Sequence, residues 1–346
     1  MIELASIAEL EQALEEERFW GREDVVADVY LGYGLSRALR RTREPVPPEP
    51  CRLPAAAVSI RNSGSDPGQT PNLRGQTLAY HVGEWHRTWT DEAYAAAIES
   101  VRASIARGDV YQVNLVQHLS AEFEGDPAGL AAALAPLHPL HPEPLVGDGW
   151  AIVSASPELF LARRGDRAWT CPIKGTRPLG ESVEGSKDLA EHVMIVDLER
   201  NDLSVVCEPG SIRWPELAAE HELAGVTHLV STVEGRLRPD ATLTQLLEAT
   251  FPGGSITGAP KVAAIDLIAA LEPVGRGASM GALGRIHPNG DLDLALTIRT
   301  FAIADGRIHL WVGGGIVWDS DPAAEIEESW VKARPLLERV GSLALA

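Results

Sequence analysis

The stretch from Ser154 to Thr176, SASPELFLARRGDRAWTCPIKGT, constrains the chain most, because it places an acid and an amine at the two ends of one hairpin. Leu159 to Arg163 and Ala168 to Ile173 have the aromatic and β-branched content of short strands, and Arg164, Gly165, Asp166 and Arg167 supply the turn. With the turn centred near Asp166, antiparallel pairing sets Glu158 opposite Lys174, on one face, with Cβ atoms roughly 5 Å apart. A Glu/Lys pair on a strand edge is ordinarily a solvated ion pair. The flanks favour a tight site instead: Ser-Ala-Ser-Pro precedes Glu158 and Gly-Thr follows Lys174.

Length and charge narrow the class. With 346 residues, 45% of them apolar, the chain can bury a large core, as two domains or one large α/β domain. No apolar run reaches membrane length, and the first residues, MIELASIAELEQALEEERF, form an acidic amphipathic segment rather than a signal peptide. A cytoplasmic location is the expectation. Cys51, Cys171 and Cys207 are too few and too scattered for a disulfide framework or a zinc knuckle. The net charge of -19 argues against nucleic acid and anionic membrane as partners. It leaves a small anionic substrate open, because such a ligand responds to local charges.

Other signals fall along the chain in order. Ser6 can cap a helix from about Ile7 to Glu17, and Thr90 or Asp91 a second, with Tyr94, Ile98, Val101 and Ile105 on one stripe and Gly108 at its end. In VYQVNLVQHL, Tyr111, Val113 and Leu115 share one strand face, and Gln112, Asn114 and His118 the other. That polar face is either half-solvated or aimed at something specific. Ser186 can cap another helix, on which Asp188 and Glu191 lie three apart; alone they read as dipole or surface acids. The strand THLVSTVEG carries His228, and FPGGSITGAPK runs into a helix from about Val262 to Leu271 without the spacing of a P-loop. Asp305-Gly306 is a hairpin turn. Pairing outward from it sets Arg299 opposite Val312, beside Gly313, Gly314 and Gly315, where a guanidinium and bare amides suit a carboxylate. Pro322 opens a last helix with core stripe Ile326, Trp330, Ala333, Leu337 and Val340, and Pro335 should kink it. Glu325, Glu328 and Lys332 share a neighbouring flank, where a Glu328–Lys332 ion pair is the plain reading.

Taken together, GDVYQVNL, SASPELF, PIKGTRP, AEHVMIVDLERNDL, HLVSTVEG, FPGGSITGAPK, IRTF and GGGIVWDSDPAAEIEES resemble, in the same order, the motifs of the chorismate-utilising enzymes. The likeness runs from about Asp91 to Leu337. It implies an α/β (α+β) fold of the anthranilate-synthase-like type, two packed antiparallel β-sheets surrounded by helices. Residues 1–85 would contribute to the same fold and 86–346 would form the chorismate-binding catalytic domain. Gln112 resembles members that add ammonia to chorismate rather than water, and Lys174 resembles the branch that forms aminodeoxychorismate rather than anthranilate. The resemblance implies Lys174 as nucleophile, Glu158 as general acid and His228 at the ring. Glu191 and Glu328 would ligate Mg2+, supported by Asp188 and Glu325, while Gln112, Thr176, Arg299, Gly314 and Lys332 bind substrate. It further implies ammonia from a separate glutamine amidotransferase subunit, since no glutaminase triad region and no fused lyase are expected in the chain. Ser279 stands where many members have an aromatic residue and Arg285 where they have tyrosine. The first departure touches a substrate contact, and the second reads as a surface change.

Overall fold

Ser6, Thr90, Asp126, Thr242 and Asp321 each turn a side-chain oxygen onto a backbone N–H of the helix that follows, fixing five helix starts. The structure, a computed structural model, describes residues 1–63, 79–178, 186–223 and 226–341; the side chains of 175–178, 186–188, 190, 222–223 and 226–228 lie outside what it describes. The helix capped by Thr90 spans Asp91–Ala106 and buries Tyr94, Ala97, Ile98, Val101 and Ser104, with Gly108 in the left-handed region beyond its end. The last helix, Pro322–Arg339, runs through Pro335 to its end. Trp330 and Ala333 before the proline and Leu336 and Leu337 after it are all buried, so packing keeps one apolar stripe helical across it.

Two antiparallel sheets form the frame. One holds, in spatial order, Ile2–Leu4, Ala56–Asn62, Val25–Leu31, Ala282–Ile286, Leu292–Leu296, Leu159–Arg164, Arg167–Cys171, Val226–Arg236 and Ile173–Pro178, with Arg213–Leu223 paired to Val226–Arg236. The other runs Gly258–Ala259, Gln112–Gly125, Arg307–Ile316, Thr300–Ala304, Trp150–Ser154 and Leu145–Val146, with Tyr80–Val82 and His86–Arg87 on the long Gln112–Gly125 strand. The main core joins Ala27, Val29, Leu283 and Leu294 of the first sheet to Ile152, Ala302 and Trp311 of the second. A second core, with Leu119, Phe301 and Leu310, packs under Trp330, Ala333 and Leu337 of the last helix. These two cores stabilise the frame by about 25 cal/mol per Å2 of apolar surface removed from water.

Over residues 112–119 the Gln112–Gly125 strand has no solvated face. Gln112, Asn114 and His118 are buried along with their neighbours, while Tyr111, just before the strand, and Glu122, Glu124 and Gly125 at its far end are exposed. Asn114 reaches Met280 Sδ at 3.8 Å, and His118 packs at a tilt against Trp311 and stacks on His309.

The turn at Gly165 and Asp166 forms as expected, with Arg164 opposite Arg167 and Gly165 at φ 59°. The pairing of Glu158 with Lys174 does not. The ladder slips between Trp169 and Cys171 and closes at Cys171–Leu159. Pro172 follows with no N–H to donate, and Ile173–Pro178 pairs instead with Val226–Arg236, setting Lys174 against Leu229. At the other hairpin, Asp305 (φ 53°) and Gly306 (φ 71°) turn the chain so that Ala304 faces Arg307. That ladder closes at Phe301–Leu310, and Arg299, at φ 50°, stands outside it.

Candidate active site

Glu158 sits where the chain enters the Leu159–Arg164 strand, its carbonyl accepting from Leu296 N at 3.0 Å. Its carboxyl is buried and takes hydrogen bonds at Oε1 from Ser255 Oγ at 3.1 Å and from the Ile173 N–H at 3.5 Å. Burial pushes this carboxyl above the ordinary range, and Lys174, Ser255, the Ile173 amide and Arg299 pull part of the shift back. The hairpin therefore does deliver acid and amine to one place, through the break at Pro172 rather than across a ladder.

Lys174 donates from Nζ to the Ser255 carbonyl at 3.3 Å. Burial pushes its amine below the ordinary lysine range; Glu158 opposes that most strongly, Lys332 adds to it, and Glu191 and Glu328 oppose it. Three elements thus meet at this amine: the Glu158 corner, the Ser186–Ser204 helix with Glu191, and the last helix with Glu328 and Lys332. Arg299 joins from the side of Glu158, the carboxyl that offsets the effect of burial on its guanidinium. Its backbone carbonyl accepts from Ala155 N at 2.9 Å.

Lys332 Nζ donates to Glu328 Oε1 at 2.7 Å and to the Gly313 carbonyl at 2.8 Å. Gly314 faces the same groups: a Cβ there would come 3.3 Å from Glu328 Oε1, 3.4 Å from Glu325 Oε2 and 3.5 Å from Lys332 Nζ. A side chain at 314 would fill this cradle. Glu325 is buried and accepts from Ser320 Oγ at 2.6 Å. Gln112 lies across Gly315, where a Cβ would collide with its Nε2, and its Oε1 finds no hydrogen-bond partner among the described residues.

Thr176 and His228 lie on the paired strands Ile173–Pro178 and Val226–Arg236, with His228 in register with His221, and Asp188 lies on the Ser186–Ser204 helix. The side chains of all three lie outside the described residues. No group of three or more histidine, cysteine or acidic side chains with metal-binding geometry occurs among the described residues. The residues nonetheless fit a hard divalent cation in kind: carboxylate oxygens of Glu325 and Glu328 converge on bare backbone at Gly314, and Glu191 and Glu328 both face the Lys174 amine.

Two residues of this site went unread in the sequence. Ser255 spends its hydroxyl on Glu158 and its carbonyl on Lys174; the loop FPGGSITGAPK marked the place, but nothing local in it names partners 97 and 81 residues away. His192 is buried beside Ser231, Nε2 to Oγ 2.5 Å, and burial, with the Lys174 charge, holds its imidazole down at about 4. Its only sequence signal is adjacency to Glu191. Of the two departures, Ser279 is fully buried with no partner for Oγ among the described residues. Arg285 is half-buried, paired with Asp28 at 3.1 Å and Glu143 at 2.8 Å.

A family model described as chorismate binding enzyme matches residues 28–338. The chain belongs to the chorismate binding enzyme family. Anthranilate synthase component 1 of Streptomyces coelicolor is 37% identical over 88% of this chain and 59% of its own length. Aminodeoxychorismate synthase component 1 of Klebsiella aerogenes is 40% identical over 75% of this chain and 60% of its own. The chain spans about 60% of the length of these curated relatives. Among solved structures, anthranilate synthase component I from Streptococcus pneumoniae superposes with a TM-score of 0.79 at 26% identity, covering 91% of this chain and 81% of that one. The two-sheet architecture of this family is therefore the architecture of this chain. Relatives of both names match at similar identity, so likeness alone does not choose between them. No helix among the described residues is long and apolar enough to cross a membrane.

Proposed function

We propose that the chain is an aminodeoxychorismate synthase component I, which converts chorismate and ammonia to 4-amino-4-deoxychorismate with Mg2+, for 4-aminobenzoate and folate synthesis in the cytoplasm. The observation that carries this reading is the Lys174 amine, brought against the buried Glu158 and shifted by burial toward its neutral, nucleophilic form. In the first step Lys174 Nζ bonds to ring C2 as the C4–oxygen bond breaks, and Glu158 gives its proton to the departing hydroxyl, which leaves as water. Ammonia then bonds to C4 as the Nζ–C2 bond breaks; the proton that the added nitrogen sheds returns to the Glu158 carboxylate, and both lysine and acid are regenerated. A carboxyl raised by burial suits the acid role. Glu191 and Glu328, with Asp188 and Glu325 one helical turn away, would hold Mg2+, which supplies positive charge to a substrate carboxylate. Arg299, Lys332 and the Gly314 backbone would seat the enolpyruvyl carboxylate, with Thr176, His228 and Gln112 around the ring. Ammonia would come from a separate glutamine amidotransferase subunit, since relatives of both kinds carry the name component 1.

The relatives called anthranilate synthase at 37% and 40% identity support a second reading, anthranilate synthase component I. The two readings part at the product. Purified chain incubated with chorismate, Mg2+ and ammonium salt should yield 4-aminobenzoate once an aminodeoxychorismate lyase is added, and little anthranilate without it. Anthranilate as the main product would sink the first reading in favour of the second.

A further inference from the structure

Below the reacting pair, the Ser186–Ser204 helix sends two acids into the interior, Glu199 at 3% and Asp202 at 6% exposure. Buried carboxyls are costly unless their oxygens are engaged. Asp202 Oδ2 accepts from Lys261 Nζ at 2.5 Å, and the same ammonium donates to the Thr250 carbonyl at 3.1 Å. Glu199 Oε1 instead accepts the backbone N–H of Gly254 at 2.9 Å. Gly254 opens the single turn Gly254–Ile256 and is pressed onto the helix: a Cβ there would lie 2.7 Å from Leu198 Cδ2 and 3.0 Å from Glu199 Oε1. The next residue is Ser255, whose hydroxyl and carbonyl hold Glu158 and Lys174.

We infer that Glu199 is a positioning residue, which fixes the Gly254–Ser255 backbone and through it the placement of both Glu158 and Lys174. The inference rests on reading those two as the reacting pair. The charged groups facing Glu199 are Asp202 on its own helix, Lys261 on the Lys261–Leu271 helix and Glu158 at the strand corner. Burial and the nearness of Asp202 favour its neutral form, in which Oε1 still accepts from Gly254. A glutamine at 199 would keep that acceptor, and an apolar side chain would release the turn.

The test reads Lys174 directly and needs no turnover. The rate at which an amine-acylating reagent modifies Lys174 is followed across pH by mass spectrometry of its peptide, in wild type, Glu199→Leu, Glu199→Gln, Ser255→Ala and the Glu199→Leu/Ser255→Ala double variant. Glu199→Leu and Ser255→Ala should each move the midpoint of the profile by roughly half a pH unit in the same direction. The double variant should move no further than the larger single, as for residues acting through one contact. Glu199→Gln should stay with wild type. Turnover of chorismate should fall about tenfold or more in Glu199→Leu, in kcat rather than KM. Should Glu199→Leu fail to fold, Glu199→Met, which keeps length without an acceptor, takes its place. A Lys174 profile unmoved by either apolar variant, or additive effects in the double, overturns the inference. Full turnover by Lys174→Ala would instead overturn the reading of the reaction, while the labelling result would still decide the coupling.

Discussion

The Lys332 ammonium lies 2.7 Å from Glu328 Oε1, one helical turn away, while it also donates to the Gly313 carbonyl. As a surface pair, with side chains 42% and 52% exposed, it would contribute little to stability. Its place beside Gly314 and in the field of Lys174 gives it a different consequence: Glu328 is held where a cation and a substrate carboxylate would share it. Glu191→Gln and Glu328→Gln should therefore abolish turnover while leaving the unfolding midpoint within about 0.5 kcal/mol of wild type. Near-normal activity of both at limiting Mg2+ would end the ligand assignment.

Lys174 carries the sharpest prediction. Enzyme mixed with chorismate and Mg2+ without ammonia should show a covalent adduct on the Lys174 peptide by mass spectrometry, and Lys174→Ala should lose it. Lys174→Arg should not rescue, because a guanidinium stays protonated and offers no lone pair. If Lys174→Arg keeps substantial activity and no adduct is ever trapped, the lysine acts only as a cation.

Glu158→Gln removes the transferable proton while keeping an acceptor for Ser255 Oγ. Turnover should fall by about 10^2–10^4-fold, with chorismate affinity, measured by calorimetry, little changed. A drop in affinity with kcat preserved would make Glu158 a binding group instead.

Ammonia supply gives a further test. The isolated chain should turn over chorismate with ammonium salt at raised pH, where NH3 is available, and not with glutamine. Glutamine-dependent turnover by the pure chain would contradict a separate amidotransferase.

Away from the site, His118 and His309 share a hydrogen bond of 3.0 Å, and burial holds their imidazoles down at about 3 and about 4. Folded-state values below the unfolded 6.5 mean that their contribution to stability is present above pH 6.5 and is lost as pH falls below it, because the unfolded chain takes up protons that the folded chain refuses. Urea midpoints should drop between pH 6.5 and pH 4.5, by up to ~1.4 kcal/mol per pH unit for each histidine. His309→Asn should flatten that slope; an equal slope in variant and wild type would show that the loss arises elsewhere.

Local rules wrote much of this molecule into its sequence. Ser6 and Thr90 cap helices because their oxygens meet orphan amides in the next turn, and the chain turns at Gly165 and at Asp305-Gly306 because those residues tolerate positive φ. The motif order from GDVYQVNL to GGGIVWDSDPAAEIEES was enough to reach the family that the match over residues 28–338 shows. What local rules cannot carry is partnership between distant segments. Pairing Glu158 with Lys174 across one hairpin failed because a slip at Cys171 and the missing amide of Pro172 hand the strand to Val226–Arg236, some fifty residues on. The polar face of Gln112, Asn114 and His118 looked solvent-ready because period-two alternation reports which residues share a face, not what covers it. Ser255 and Glu199 carried no period at all. Their roles come from one backbone turn pressed between a helix and a strand corner, a contact that exists only once both sheets and the Ser186–Ser204 helix have closed over it.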